Sequence, residues 1–201
     1  GLTAAPVKLV KAAGKDVLLI ERFDRVPLDS GWAQKSMVSA LTLFGLSEMT
    51  ARYASYEDLA EIIRHRFTRP VETLEELFGR LVFNILCGNT DDHARNHAAF
   101  WNGRELTLTP AYDICPQGRA GNEATQAMLI TGANRWSQLK TCLAAAHHFL
   151  LSRSAALEAM DRIEAAIRDH WERVCAEAEL SQVDTNALWG RQFLNPFSIE
   201  R

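Results

Sequence analysis

Two short groups of polar side chains could carry chemistry in this chain. The first is Gly88-Asn89-Thr90-Asp91-Asp92-His93-Ala94-Arg95-Asn96-His97, and the second is Pro110-Ala111-Tyr112-Asp113-Ile114. A single residue of this kind is usually a solvated loop residue or a helix cap. A set this dense, directly after a long apolar segment, is more typical of a functional site, where titratable groups are brought together for use.

The spacing within these groups indicates phosphoryl transfer. Asn96 follows Asp91 by five residues, and Asp113 follows Asp91 by 22. Transfer of phosphate to a hydroxyl needs a carboxylate that orients the hydroxyl, and hard oxygen ligands that hold Mg²⁺ against the nucleotide phosphates. Protein kinases supply these groups as a catalytic-loop Asp, an Asn five residues later and a second Asp beyond a hairpin.

The residue types leave two points open. Chemistry alone does not decide between Asp91 and Asp92, and only the Asp-x-x-x-x-Asn register favours Asp91, with Asp92 then a helix cap. His93 and His97 are four residues apart, which suits two metal ligands on one helix face. Zinc is the less favoured interpretation, because no third soft ligand is evident nearby.

The strand and loop signals lie at the start and in the middle of the chain. The apolar run at 17–20 predicts a buried strand, and the Pro, Asp, Ser and Gly residues within 26–34 predict a loop. Residues 98–109 predict a small hairpin, because Asn102-Gly103 favours a type I′ turn between two short apolar runs.

The rest of the pattern is helical. Apolar residues from Met37 to Phe44 have helical spacing, and Ser55 with Asp58 caps a second segment. The strongest helix is predicted to begin at Thr73 with a capping box and to end at Gly88 in a left-handed cap. Further helices are predicted around 136–146 and 156–174. The fold class predicted is mainly α, a helical lobe with a short N-terminal strand and one small β-hairpin.

Composition excludes several classes of protein. The 201 residues are 47% hydrophobic and 23% charged with a net charge of −3, which indicates a globular chain without global attraction to nucleic acid or anionic lipid. No apolar run approaches the roughly 20 residues of a membrane span, and no signal peptide opens the chain. We therefore expect a cytoplasmic location without membrane or direct nucleic-acid binding. Four well-separated cysteines are predicted to be buried free thiols in a reducing compartment: Cys87, Cys115, Cys142 and Cys175.

Three segments resemble those of the HipA family of serine/threonine kinases. The segment 89–97 is similar to the family's catalytic loop, and 109–114 is similar to its metal-binding stretch. The segment 18–25, Leu-Leu-Ile-Glu-Arg-Phe-Asp-Arg, is similar to its interlobe hinge. The three occur in the family's order, and the C-terminal helices are also similar to its helical lobe.

The resemblance implies roles for residues that match the family's motifs. Asp91 would be the catalytic base that orients the acceptor hydroxyl, and His93 would support the loop. Asn96 and Asp113 would bind Mg²⁺.

The resemblance also implies a nucleotide site and partners. The backbone of Glu21 and Phe23 would receive the adenine of ATP. The substrate would be a protein serine or threonine, with translation factors among the family's targets, and a small DNA-binding antitoxin could restrain the kinase.

The resemblance divides the chain after the hinge. Residues 1–25 would be a residual N-lobe strand and the hinge, and 26–201 the helical C-terminal kinase domain. No glycine-rich phosphate loop precedes residue 17, and the lysines Lys8, Lys11 and Lys15 lie outside the family's apolar strand pattern. We therefore expect these 201 residues alone to bind ATP weakly and to have little or no kinase activity.

Two other functions compete with the kinase. A metal-dependent phosphohydrolase on a helical scaffold would use Asp91, Asp92, His93, His97 and Asp113. A catalytically silent module would bind a partner protein instead.

Overall fold

The chain forms seven short strands and six α-helices, with five strands first and the other two between the third and fourth helices. The structure is a computed structural model that describes residues 1–201. The elements are β1 (Val7–Ala12), β2 (Lys15–Ile20), β3 (Arg25–Leu28), β4 (Gly31–Gln34), β5 (Ser36–Ser39), α1 (Ala40–Leu43), α2 (Tyr56–Arg66), α3 (Pro70–Cys87), β6 (Ala98–Trp101), β7 (Leu106–Leu108), α4 (Leu139–Ala145), α5 (Arg153–Glu177) and α6 (Gln182–Leu188). Single 3₁₀ segments lie at Glu48–Tyr53 and Ala146–Phe149.

The predicted mainly-α class is wrong. The chain is 41% helical and 21% strand, and its strands form three small sheets. The sheets are the β1–β2 hairpin, the β3–β4 hairpin and an antiparallel sheet of order β5-β6-β7. The fold is therefore mixed. Helices supply most of the core, and the short sheets are formed by the N-terminal residues and by the hairpin in the middle of the chain.

One error concerns residues 26–34, which form the β3–β4 hairpin rather than a loop. Pro27 pairs with Trp32 and Leu28 with Gly31, so the turn contains only two residues. Proline is tolerated because a two-stranded hairpin consists of edge strands only. Gly31 has φ of +113°, a conformation that favours glycine, so the residues that suggested a loop are those of a tight turn.

A second error concerns the helix predicted from Met37 to Phe44. Residues 36–39 form β5, which pairs with β6 in the middle of the chain, and only Ala40–Leu43 is α-helical. Ser39 ends the strand and caps the short helix through its hydroxyl. Pairing with a distant strand overrides a local helical pattern, because strand stability depends on cross-strand neighbours.

The strand predicted at 17–20 exists as part of β2, but it is not buried. Leu18, Leu19 and Ile20 each expose about half of their surface. An apolar run predicted the strand correctly without indicating whether a second layer covers it.

The core is built around α3. Its residues Leu74, Leu77, Phe78, Leu81 and Ile85 are fully buried at helical spacing. The helix contacts α2, α4 and α5, and the core cluster contains 31 buried residues. This amphipathic packing confirms the strongest helical prediction.

The ends of the helices agree in part with the sequence. Ser55 caps α2 by accepting the Asp58 N–H, and Gly88 ends α3 with φ of +74°, both as predicted. The start of α3 differs, because Pro70 stands at its first position and no capping box forms at Thr73. The predicted C-terminal helices correspond to α4 and α5, although Trp136 lies before α4.

The predicted hairpin at 98–109 is β6–β7, with a different turn. Trp101 pairs with Leu106, so four residues connect the strands instead of two. The Asn102 side chain accepts the backbone N–H groups of Arg104 and Glu105. Only Gly103 has a positive φ, so the turn is not type I′.

The four cysteines are all unpaired, but Cys115 is exposed rather than buried. None of the helices combines the length and the apolar composition that a membrane span requires.

Candidate active site

The candidate catalytic loop begins where α3 ends, at Gly88. A Cβ on this residue would lie 2.7 Å from the carbonyl oxygen of Gln192, so both its positive φ and this close approach require glycine. The Gly88 carbonyl accepts the Gln117 N–H at 2.9 Å, and the Leu86 carbonyl accepts the Leu194 N–H at 2.8 Å. The start of the loop is therefore held by two distant parts of the chain.

Asn96 and Asp113 are brought together by the β6–β7 hairpin. The hairpin reverses the chain between them, and the Asn96 Nδ2 donates to the Asp113 Oδ2 at 3.0 Å and to its carbonyl oxygen at 3.2 Å. The amide nitrogen of Asn96 thus faces Asp113. Its amide oxygen is buried and has no hydrogen-bond partner.

The donor set at Asn96 and Asp113 fits a magnesium ion. An unpartnered buried amide oxygen is costly unless a ligand satisfies it. A carboxylate and an amide oxygen are hard oxygen ligands of the kind that Mg²⁺ takes, together with waters and phosphates.

Asp113 has an unusual backbone conformation. Its φ is +57°, in the left-handed region that few residues other than glycine, asparagine and aspartate adopt. Its side chain is exposed apart from the contact with Asn96. A conformation of this kind often marks a functional position, because the surrounding structure must hold it in place.

Asp91 and Asp92 lie in opposite environments. Asp91 is exposed and has no side-chain hydrogen bond, so its carboxylate is accessible to a ligand. Asp92 is buried, where it accepts a hydrogen bond from the Tyr56 hydroxyl and lies 3.1 Å from the His97 Nε2. The interpretation of Asp92 as a helix cap is therefore wrong.

The buried contacts shift the pKa values of Asp92 and Tyr56. Burial disfavours the charged form of Asp92, but the charge and hydrogen bond of His97 and the bond from Tyr56 outweigh it and lower the pKa. Burial, reinforced by the Asp92 charge, raises the pKa of Tyr56 well above its ordinary value. Asp92 is thus a carboxylate and Tyr56 a neutral donor.

His93 lies between the two aspartates and Asn96 in the loop. Its carbonyl oxygen accepts the Asn96 N–H at 2.9 Å, and its buried Nδ1 atom has no partner. The metal centre proposed as an alternative is not assembled, because no group of three or more His, Cys, Asp or Glu side chains is arranged to hold an ion.

The predicted hinge segment, residues 18–25, contacts the predicted metal-binding stretch, residues 109–114, through Phe23. The Phe23 ring lies 5.7 Å from the Tyr112 ring and 6.0 Å from the Phe100 ring, measured between centroids. The Tyr112 hydroxyl in turn donates to the carbonyl of Arg95 at 2.5 Å. Tyr112 therefore connects Phe23 to the candidate catalytic loop as well as to the segment that contains Asp113. Burial raises the pKa of Tyr112 to about 12, which keeps its hydroxyl a donor.

Glu21 and Phe23 offer different backbone groups. The Glu21 N–H donates to the carbonyl oxygen of Pro6 at 2.9 Å, whereas the Phe23 N–H has no backbone acceptor. The neighbouring charges form a local ion pair, in which Arg22 donates two hydrogen bonds to Asp24. Arg22 and Arg25 therefore pair with Asp24 and not with carboxylates of the catalytic loop.

Arg80 joins the N-terminal residues to the site and was not singled out by the sequence. It is buried, pairs with Glu76, and donates to the carbonyls of Thr3 and Thr109. The Ala111 N–H donates to the Thr3 carbonyl, and the Ala111 carbonyl accepts the Ala5 N–H, both at 2.9 Å. The i, i+4 spacing of Glu76 and Arg80 was the available signal, but such pairs are common on exposed helix faces.

Tyr56 was missed because a lone tyrosine at a helix start has no distinctive pattern.

Curated relatives match part of this chain in sequence. The protein Y4mE of Sinorhizobium fredii is 30% identical over 123 residues, which cover 57% of this chain and 28% of that protein. The serine/threonine-protein kinase toxin HipA of Shewanella oneidensis is 24% identical over 130 residues, which cover 57% of this chain and 30% of HipA. The matched region is therefore about a third or less of the length of these relatives.

Solved structures share the fold. HipA of Shewanella oneidensis, in a structure with HipB and operator DNA, has a TM-score of 0.78 at 19% identity, covering 93% of this chain and 48% of HipA. The proinflammatory kinase CtkA of Helicobacter pylori has a TM-score of 0.59 at 16% identity, covering 93% of this chain and 74% of CtkA.

The family model of the HipA-like C-terminal domain matches residues 1–171. This match contains the predicted hinge, the candidate catalytic loop and the predicted metal-binding stretch in one continuous region. The chain belongs to the HipA-like C-terminal domain family.

Proposed function

We propose that this chain supplies the catalytic lobe of a serine/threonine protein kinase that transfers the γ-phosphate of ATP to a protein hydroxyl. The observation that carries the proposal is the pairing of Asn96 with Asp113, which leaves the Asn96 oxygen unpartnered. The exposed Asp91 precedes Asn96 in the Asp-x-x-x-x-Asn register of kinase catalytic loops.

Asn96 and Asp113 would hold Mg²⁺. When bound, the ion neutralises charge on the β- and γ-phosphates and orients them for in-line transfer. The Asn96 Nδ2 holds Asp113 by a hydrogen bond, so the two ligands are preorganised relative to each other.

Asp91 would orient the acceptor hydroxyl and take its proton. In that step the hydroxyl oxygen forms a bond to the γ-phosphorus, the bond between this phosphorus and the β–γ bridging oxygen breaks, and ADP leaves. Its exposure is consistent with the role, because a protein substrate must reach it. His93 would support the loop through its carbonyl, which accepts the Asn96 N–H.

The hinge would receive the adenine through the backbone of Glu21 and Phe23. The free Phe23 N–H is a donor for an adenine ring nitrogen, whereas Glu21 can offer only its carbonyl, since its N–H is already donated to Pro6. The Phe23 ring packs on Tyr112, the residue before Asp113, and this contact supports a hinge that lies beside the proposed ligand stretch.

The partners that we propose follow the family. The Shewanella HipA structure contains HipB and operator DNA. We propose that a small DNA-binding antitoxin restrains this kinase, and that the substrate is a protein such as a translation factor. The net charge of −3 favours contact with DNA through a partner rather than through this chain.

The test is ATP-dependent phosphate transfer by the natural polypeptide. We expect Asp91→Asn to reduce transfer by at least 10²-fold, since it removes the proton acceptor. We expect Asp113→Asn to raise the Mg²⁺ concentration needed for half-maximal transfer, since it replaces a proposed metal ligand. Asp169→Asn, an exposed aspartate on α5, is the matched control and should have no effect. Equal activity of Asp91→Asn and the wild type would refute the catalytic assignment.

ATP binding by the 201 residues alone is a separate proposal. We expect weak binding in calorimetry, because no glycine-rich loop for the phosphates occurs in this sequence before the hinge. Tight Mg·ATP binding by the isolated chain would contradict it.

The phosphohydrolase alternative is not favoured. It requires Asp92 and His97 as ligands, but these two side chains are buried against each other.

A further inference from the structure

Two residue pairs with the same spacing run through the catalytic loop, displaced by one residue. Asp91 and Asn96 are five residues apart, and so are Asp92 and His97. The members of the first pair are the proposed base and a proposed metal ligand. In the second pair, Asp92 directly follows Asp91 and His97 directly follows Asn96. Asp92 and His97 are both buried.

The second pair is joined by direct contacts. The Asp92 Oδ1 lies 3.1 Å from the His97 Nε2, and the Asp92 Oδ2 accepts the Tyr56 hydroxyl. The Tyr56 oxygen is also 3.3 Å from the His97 Nε2. Both oxygens of Asp92 therefore have partners, and the three side chains form one cluster, which we call the inner cluster.

The inner cluster is fixed to the core at both ends of the loop. Tyr56 is fully buried at the start of α2, where its ring lies 6.4 Å from that of Phe149 and its N–H donates to the Leu129 carbonyl at 2.8 Å. The His97 carbonyl accepts the Ala40 N–H at 2.8 Å. The loop thus cannot shift without moving residues of the helical core.

We propose that Asp92, His97 and Tyr56 are positioning residues that set the distance between the proposed base and the proposed metal ligand. This inference rests on the proposed kinase function. None of the three would touch substrate or nucleotide. Asp92 acts through its chain neighbour Asp91, His97 acts through its chain neighbour Asn96, and Tyr56 acts through its hydrogen bond to Asp92.

The chemistry of the cluster argues for positioning rather than for stability. Burying a carboxylate such as Asp92 carries a desolvation cost that its contacts must offset, so the cluster is weak evidence for a stabilising role. Its advantage is direction, because charged hydrogen bonds fix angles as well as distances. Misplacement of a catalytic group by about 1 Å is enough to lower turnover by about 10²-fold.

Steady-state release of ADP from Mg·ATP by the natural polypeptide tests the proposal. The variants are Tyr56→Phe and Asp92→Asn, each alone and combined with Asp91→Asn. Tyr53→Phe, which removes an exposed tyrosine hydroxyl, is the matched control. We expect Tyr56→Phe and Asp92→Asn to lower kcat by about 10- to 100-fold, with KM for ATP within about twofold of the wild type.

The combined variants separate positioning from a general structural effect. If the inner cluster acts through Asp91, its substitutions add less than about twofold to the loss caused by Asp91→Asn. The same fractional loss in both backgrounds, or a Tyr56→Phe variant equal to Tyr53→Phe, would overturn the proposal.

A second measurement keeps this proposal distinct from the kinase proposal. If Asp91→Asn leaves ADP release unchanged, the proposed function fails, and amide hydrogen exchange then tests the inner cluster. We expect residues 91–97 to exchange at least about tenfold faster in Tyr56→Phe than in Tyr53→Phe. Equal exchange in the two variants would refute the inner cluster as a positioning device.

Discussion

Residues 1–37 and residues 40–200 differ in what covers their apolar side chains. In the first region only Ala5 and Asp24 are buried, whereas every residue of the core cluster lies at or after Ala40. Nine large apolar side chains are exposed in the first region: Val7, Leu9, Leu18, Leu19, Ile20, Val26, Leu28, Trp32 and Met37. Both regions are regular in their backbone hydrogen bonds, so regular secondary structure alone does not provide a core.

The difference indicates that the two regions contribute unequally to stability. Two-stranded hairpins are marginally stable by themselves, whereas a helical core supplies most of the free energy of folding. The first region contacts the second at a small number of places. Thr3 and its neighbours bond to Arg80 and Ala111, and Phe23 packs on Tyr112. Ser36 and Met37 pair with β6, and Lys11 forms an exposed ion pair with Glu179. Global unfolding should therefore report the second region, and local opening the first.

The largest contrast is expected from matched truncations in the two regions. Phe78→Ala in the core should lower the free energy of unfolding by about 3–5 kcal/mol, because it leaves a cavity beside Phe149. Leu18→Ala on the exposed face of β2 should change it by less than about 0.5 kcal/mol. Urea denaturation followed by circular dichroism measures both, and similar losses would contradict the division into two regions.

Arg80→Met tests the junction between the regions. The variant keeps an apolar stem but removes the ion pair with Glu76 and the hydrogen bonds to the Thr3 and Thr109 carbonyls, so we expect the free energy of unfolding to fall by about 3 kcal/mol. Hydrogen exchange should also accelerate in β1 and β2 more than in α5. Arg162→Met, at an exposed position on α5, is the control; uniform acceleration along the chain would argue against a junction at Arg80.

Acid sensitivity should also differ between the regions. The pKa of Asp92 is lowered on folding, so its ionised form stabilises the protein above the unfolded value of about 4, and this contribution is lost as pH falls through the folded value. The slope is at most about 1.4 kcal/mol per pH unit for one proton. Asp92→Asn should flatten the dependence of the urea midpoint between pH 5 and 3.

Asp24→Asn is the comparison for that experiment. A hydrogen bond from Arg22 lowers the pKa of Asp24 in the same direction, but this carboxylate lies in the first region. We expect the variant to leave the acid dependence of global unfolding unchanged. A flattening equal to that of Asp92→Asn would show that the hairpins unfold together with the core.

The smallest effect is expected at the exposed ion pair between Lys11 and Glu179, which links β1 to the end of α5. Both side chains are largely exposed, and such pairs are screened by salt. Lys11→Met should cause no measurable change in the urea midpoint at 0.15 M salt. A clear destabilisation would mean that this pair holds the two regions together.

Much of the second region was predictable from sequence, because its helices have strong apolar periodicity. The cap at Ser55, the end of α3 at Gly88 and the hairpin around Asn102 each depend on local interactions that nearby residues encode. The first region was less predictable. The β5 strand forms by pairing with residues about sixty positions away, and exposure of the β2 apolar run depends on what packs against it.

The candidate site shows the same limit. Register and residue type predicted Asp91, Asn96 and Asp113, and the structure brings the last two into contact. The burial of Asp92 against Tyr56 was not visible, because the tyrosine lies 36 residues away and no local pattern links them. Spacing along the chain therefore predicts candidate site residues, but it does not reveal which distant side chains hold them in place.

The left-handed conformation of Asp113 has a consequence for how this protein can vary. Replacement by glycine would relieve backbone strain of about 1 kcal/mol or more, and would thus favour folding. The same replacement would remove the carboxylate that Asn96 contacts. Stability and the proposed metal site therefore make opposite demands on this position, so a variant selected for thermal tolerance alone could gain stability here while losing a proposed ligand.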